Sequence, residues 1–207
     1  MQLIVITSPS PIAQEATKIN ALFAAGMEVL HLRKPDFSKK DYVKLLEEIN
    51  ANYHHKIKIH DFFELADNYN LSGVHLNARN PHYAGNRKIN TSKSCHSMEE
   101  LDSIAGYDYV FLSPIFDSIS KKGYRSNFSD ETLSTASSKG KINQKVVALG
   151  GINRETLPLL KKYAFGGIAV LGSIWHPTPA LPKREGDSPP LEGFGEVANF
   201  LNLNSLL

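Results

Sequence analysis

The sequence is poor in the residues that would mark several common classes. It has a single cysteine, Cys95, in 207 residues. That excludes an intrachain disulfide framework and a zinc ribbon or finger. It has almost no net charge: 23 Lys and Arg stand against 21 Asp and Glu, giving +2. A nucleic-acid-binding domain normally shows a clustered basic excess, so no such partner is expected. No apolar run approaches the roughly 20 residues of a membrane span. Residues 1–7 read as a strand, without a basic n-region or a small-residue cleavage site, so no signal peptide is expected. No HExxH-type spacing joins any of the eight histidines. No GxGxxG follows the first strand, where SPSP stands instead. The expectation is a cytoplasmic globular protein with no membrane or nucleic-acid partner.

What is present is an alternation. Short apolar runs at 2–7, 28–32, 56–59, 73–76, 88–92, 108–112, 145–149 and 167–171 read as eight strands. Helix-period stretches lie between them, at 11–25, 39–50, 61–69, 98–105, 129–138 and 154–163. The segment 77–87 is polar and holds Pro81 and Gly85, so its helix is expected to be vestigial. Ser38, and Ser97 with Glu100, read as helix caps. The last two strands are apolar on both faces, as buried parallel strands are. The missing dinucleotide fingerprint puts a single closed (β/α)8 barrel ahead of an open doubly wound sheet. Such a barrel needs about 200 residues, so a one-domain chain 1–207 sits at the lower limit. Residues 176–193 hold five of the eleven prolines. They read as an exposed insertion before a final helix at about 194–203.

Active sites of such barrels lie at the C-terminal ends of the strands. The residues there include Arg33, Lys34, His60, Asp61, Asn77 to Asn80, Ser94, Lys121, Lys122, Gly150, Gly151 and Gly172. Cations, one central carboxylate, hydroxyls and two glycine sites suit a phosphorylated ligand. Asp61 can ligate Mg²⁺ or cap the helix after it. His31 and His75 lie within strands and read as packed, hydrogen-bonded residues.

Eight segments, in order, carry a family resemblance. They are VIT at 5–7, HLRK at 31–34, HDFFELA at 60–66, GVHL at 73–76, SKSCHSMEEL at 92–101, DYVFLSPIFDSISKKG at 108–123, VVALGGI at 146–152 and GGIAVLGSI at 166–174. Together they resemble the thiamine phosphate synthase and thiazole tautomerase family over the chain up to residue 175. The resemblance implies a TIM barrel that condenses a hydroxymethylpyrimidine diphosphate with a thiazole phosphate, releasing pyrophosphate. It implies that Arg33 binds the diphosphate, Asp61 holds Mg²⁺, Ser94 contacts the pyrimidine substrate and Lys121 stabilises the departing pyrophosphate. Ser118, Ser120, Gly151 and the Leu171–Gly172 backbone would hold the thiazole phosphate. His31, Lys34 and His60 complete the expected substrate contacts.

The departures are specific. Pro35 stands where the synthase pattern has a second cation, with Lys34 adjacent. The second metal carboxylate aligns with Asn80, a weaker Mg²⁺ ligand. HLR and the SKSCHS stretch look like the tautomerase branch, whose catalytic histidine aligns with Pro114. In that branch His96 or His60 would have to act as base. Three readings stay open: synthase, tautomerase-like isomerase, and a non-catalytic homologue that binds thiamine phosphates.

Overall fold

A computed structural model describes residues 1–85, 87–117, 126 and 128–175. The expected insertion at 176–193, the final helix, and Ser118, Ser120, Lys121 and Lys122 lie outside the described residues.

Eight parallel strands close into a barrel in sequence order: β1 (Gln2–Ile6), β2 (Val29–Leu32), β3 (Ile57–Ile59), β4 (Gly73–Leu76), β5 (Asn90–Cys95), β6 (Tyr109–Leu112), β7 (Val146–Leu149) and β8 (Gly167–Val170). β8 pairs back onto β1, from Gln2 opposite Gly167 to Val5 opposite Val170. This is the expected single TIM barrel. Five α-helices are described: α1 (Glu15–Ala24), α2 (Lys39–Glu48), α3 (Leu65–Asn68), α4 (Asp130–Ser138) and α5 (Gly172–Trp175). No described helix is long and apolar enough to cross a membrane.

Strand alternation sends successive side chains to opposite faces. The outward set, including Val5, Leu30, Ile59, Val74, Leu112, Ala148 and Ile168, packs against Ile19 and Leu22 of α1, Leu46 of α2 and Leu133 of α4. Burying each large aliphatic side chain contributes roughly 1.5–3 kcal/mol, so this layer carries the fold. The inward set divides. From β6 round to β1 it is apolar: Phe111, Val147, Ala169, Ile4 and Ile6, with Tyr109. From β2 to β5 it holds buried His31, Lys58, His75 and Ser92. Half of the barrel interior is therefore polar, which the strand-by-strand reading did not bring out.

The helices are shorter than their periodicity suggests, for local reasons. α1 starts at Glu15 because Gln14 is left-handed, with φ 56°. Phe62 is also left-handed, which delays α3 to Leu65. The stretches 98–105 and 154–163 narrow to 3₁₀ turns at Glu100–Ser103 and Leu157–Lys162. Pro158 sits in the latter's first turn, where a missing N–H costs least. α2 begins as expected, with Ser38 and Asp41 capping each other's backbone. β5 runs further than its weak apolar pattern suggested, to Cys95. Pairing with β4 and β6 on both sides overrides that pattern. Ser94 thereby becomes a strand residue rather than a loop residue.

Candidate active site at the barrel mouth

Three imidazoles fill the polar half of the barrel. His31 on β2 sits between His60, directly after β3, and Tyr109 on β6. Its Nδ1 is 3.0 Å from His60 Nε2 and its Nε2 is 2.5 Å from the Tyr109 hydroxyl. His60 stacks on His75 of β4 at 4.3 Å. His75 is bracketed by hydroxyls, Ser92 Oγ at 3.0 Å and Ser94 Oγ at 3.1 Å. Burial holds all three well below the usual histidine range, with neighbouring cations adding to the effect. His75 falls to about 3. All three are neutral at pH 7, so each donates at one nitrogen and accepts at the other.

Their ligand atoms lie within 4.8 Å of one another, which is the donor chemistry of a transition-metal site. Five of the six ring nitrogens already have partners. Lys58 and Arg33 add positive charge beside them. Both facts favour a hydrogen-bonded network over a dication. Lys58 lies deeper, 97% buried, over the Tyr109 ring at 4.1 Å, and burial lowers its pKa to about 8. Gly73 makes its room: a Cβ there would stand 2.2 Å from the Asn90 carbonyl and 3.0 Å from Lys58 Cε.

Above this layer the strand ends supply the charged rim. Thr7 Oγ1 accepts from the Arg33 amide at 2.8 Å and donates to the Arg33 carbonyl at 3.0 Å. That clamps the β1 and β2 ends together. Arg33 lies near enough to lower the pKa of His60 and His75. Its guanidinium has no ion-pair partner among the described residues. Asp61 accepts from Arg79 Nη2 at 2.9 Å and from Asn80 Nδ2 at 3.0 Å. Asp61 is thus an ion-paired rim carboxylate.

Beyond β7, Gly150 and Gly151 have φ of 100° and 63°. A Cβ on Gly151 would lie 2.5 Å from the Asp117 carbonyl, and one on Gly150 2.9 Å from Pro114 Cα. The glycines let this turn press against the loop after β6, with Phe116 N–H donating to the Gly150 carbonyl. α5 starts at Gly172, directly behind Leu171, so its first amides have no intrahelical acceptor. Trp175 Nε1 donates to the Ile6 carbonyl and ties α5 to β1.

The structure therefore brings Arg33, His60, Asp61, Asn80 and Ser94 together across β2 to β5, with Gly151, Leu171 and Gly172 at the ends of β7 and β8. Three expectations change. Lys34 is fully buried, with its ammonium on Glu15 Oε1 at 2.6 Å and the Ser10 carbonyl at 2.9 Å, so it cannot touch substrate. His31 is fully buried, with both ring nitrogens taken up by His60 and Tyr109, so it does not touch substrate. Asn80 presents an N–H, not an oxygen, to Asp61, an arrangement that does not suit a metal ion shared between them. Sequence reasoning placed Thr7 and Arg79 at strand ends without giving either a role, and missed Lys58 and Tyr109 altogether. Period-two alternation back from His60 would have placed Lys58 inside the barrel.

Comparison with known proteins agrees with this fold. A sequence profile described as thiamine monophosphate synthase matches residues 3–174. The thiamine-phosphate synthase of Clostridium tetani is 29% identical over 159 residues, covering 72% of this chain and 75% of that protein. That of Lysinibacillus sphaericus is 26% identical over 162 residues, covering 72% and 76%. The crystal structure of a thiamine phosphate pyrophosphorylase from Bacteroides thetaiotaomicron superposes with a TM-score of 0.86 at 38% identity, covering 100% of this chain and 98% of that one.

Proposed function

The chain belongs to the thiamine monophosphate synthase family, and on that premise we propose that it condenses hydroxymethylpyrimidine diphosphate with thiazole phosphate, forming thiamine phosphate and pyrophosphate. The observation that carries this reading is Arg33. Its guanidinium has no counter-ion among the described residues, Thr7 clamps its backbone, and a neutral His60 lies nearby. Such a cation suits an anionic ligand.

The chemistry follows from the charges. The C–O bond at the pyrimidine methylene breaks and its electron pair leaves on pyrophosphate. Arg33 stabilises that developing charge because it is already in place and needs no reorganisation. The thiazole nitrogen lone pair then forms the new C–N bond, which requires no proton transfer. Holding the two rings together makes this capture effectively unimolecular. Ser94, fixed on His75, offers its hydroxyl to the pyrimidine. Gly151 and the Leu171–Gly172 backbone offer close amide approach to the thiazole phosphate. Lys121, Ser118 and Ser120 are assigned by resemblance to pyrophosphate and thiazole phosphate. A cytoplasmic location belongs to the same proposal, which the buried free thiol of Cys95 suits.

The Mg²⁺ that the resemblance implies does not fit a site held by Asp61 and Asn80. Asp61 already accepts from two donors, and Asn80 is one of them. No step is assigned to the ion.

The test is direct. The purified protein is mixed with both phosphorylated precursors, with and without Mg²⁺, and thiamine phosphate is assayed beside an active synthase. Product formation supports the reading; its absence overturns it. Lys121→Ala should cut turnover far more than Lys122→Ala, and equal effects would refute the role given to Lys121.

One observation favours a second reading. Tyr109, His31 and His60 form a hydrogen-bonded row that can run in either direction, leaving His60 Nδ1 as donor or acceptor. Such a row suits a proton-transferring isomerase acting on a thiazole carboxylate phosphate. Aromatisation of that substrate without any pyrimidine would establish it. Tight binding of thiamine phosphate with neither reaction would identify a non-catalytic homologue.

A further inference from the structure

Asn80 and Arg79 both donate to Asp61. Arg79 Nη2 lies 2.9 Å from Oδ1 and 3.2 Å from Oδ2, and Asn80 Nδ2 lies 3.0 Å from Oδ1. Asn80 Nδ2 also reaches the His60 carbonyl at 3.2 Å. Both neighbours of that nitrogen are acceptors. Turning the amide over would set its oxygen against a carbonyl and a carboxylate, so chemistry fixes Asn80 as a donor. Asn77 Nδ2 donates to the same His60 carbonyl at 2.7 Å, and its Oδ1 accepts from the Arg79 and Asn80 amides. The 77–80 turn is thereby built to hold Arg79 over Asp61.

The result is a guanidinium where a carboxylate pair would hold a cation. Arg79 is 56% exposed at its side chain, and Asp61 only 13%. Only Nη2 is committed to Asp61, which leaves Nε and Nη1 to meet a ligand oxyanion. Arg33 follows β2 and His60 follows β3, its paired neighbour, while Arg79 stands on Asp61, the next residue, so the two cations belong to adjoining strand ends. We propose that Arg79, oriented by Asp61 and Asn80, is the second diphosphate-binding cation of this chain. With Arg33 it supplies positive charge that a protein-held metal ion would otherwise contribute. The identity of the ligand rests on the synthase reading; the anion site itself does not.

The test is calorimetry of inorganic pyrophosphate on the full chain, in EDTA and in Mg²⁺. The wild type should bind in EDTA. Arg79→Ala should weaken that binding at least tenfold, Arg79→Lys should weaken it less, and exposed Lys141→Ala should leave it unchanged. Asn80→Asp should make binding rise with Mg²⁺. Thermal melts report whether each variant is folded. Binding that requires Mg²⁺ in the wild type, no binding in either condition, or a folded Arg79→Ala that binds normally in EDTA would overturn the proposal. Thiamine phosphate formation is scored separately. Turnover with Mg²⁺-dependent pyrophosphate binding sinks this inference and leaves the synthase reading standing. Arg79-dependent binding without turnover does the reverse.

Discussion

Lys34 Nζ lies 2.6 Å from Glu15 Oε1, and both side chains are shut away from solvent. The pair joins the end of β2 to the start of α1. It also separates two adjacent cations: Arg33 stays at the mouth while Lys34 is spent inside. Burial is the largest influence on each, raising the pKa of Glu15 and lowering that of Lys34, while their hydrogen bond pulls both back. Lys34→Ala leaves a buried carboxylate without its cation and should cost about 3 kcal/mol or more in urea unfolding. The double variant Lys34→Met with Glu15→Leu should recover most of that stability. Pyrophosphate binding by the folded double variant should match wild type. A selective binding loss would return Lys34 to the site.

The three buried histidines predict acid sensitivity. Each has a folded pKa below its unfolded value near 6.5. Below that pH the unfolded chain binds protons that the native barrel refuses, so stability is lost as pH falls. With three such groups the limiting slope is about 4 kcal/mol per pH unit. Unfolding free energies measured from pH 7 to pH 5 should steepen accordingly. His75→Asn should flatten the slope by about a third. A flat profile for the wild type would refute the neutral trio.

Lys58 predicts the opposite end of the scale. Its folded pKa, about 8, lies below its unfolded value of 10.5. Between those values the unfolded chain binds the extra proton, so stability rises with pH across that window. The full effect is on the order of 3 kcal/mol. Lys58→Met keeps the volume, should stabilise the protein at pH 7, and should remove this rise. Parallel wild-type and variant curves from pH 7 to pH 10.5 would contradict it.

Thr7 is a positioning residue. Thr7→Val keeps the shape but removes both hydrogen bonds to the Arg33 backbone. Stability should fall by about 1 kcal/mol. Pyrophosphate affinity should fall several-fold in a folded protein, and Thr7→Ser should restore it. Unchanged affinity in Thr7→Val would show that Arg33 needs no such clamp.

Gly151→Ala tests the turn after β7. A positive φ and a carbonyl 2.5 Å from the new methyl both oppose it. The backbone conformation alone costs about 1–3 kcal/mol. Gly106→Ala, where a Cβ meets nothing within 4 Å, is the control and should be tolerated. Equal melting temperatures for the two variants would refute the close packing of this turn.

Much of the architecture was open to a reader of the chain. Strand and helix periods are local properties, and the order β1 to β8 followed from their alternation. Arg33, Asp61, Ser94 and the glycines could be found because strand ends in a barrel share one face. The roles of Lys34 and Asn80 could not. Nothing near Lys34 in sequence announces Glu15, nineteen positions earlier, as its partner. Asn80 has the composition of a weak ligand, and only the His60 carbonyl, twenty positions away, turns its amide into a donor.

The sequence by itself determined eight alternating strands, a family resemblance that implies a barrel, and the strand ends where chemistry gathers. These depend on residue type and spacing along the chain. Tertiary structure decided the rest: that half of the barrel interior is polar, that His31 meets Tyr109 across 78 residues, and that Arg79 rather than a carboxylate stands on Asp61. Burial and hydrogen-bond direction are set by groups that closure of the barrel brings together. They have no signature in local periodicity.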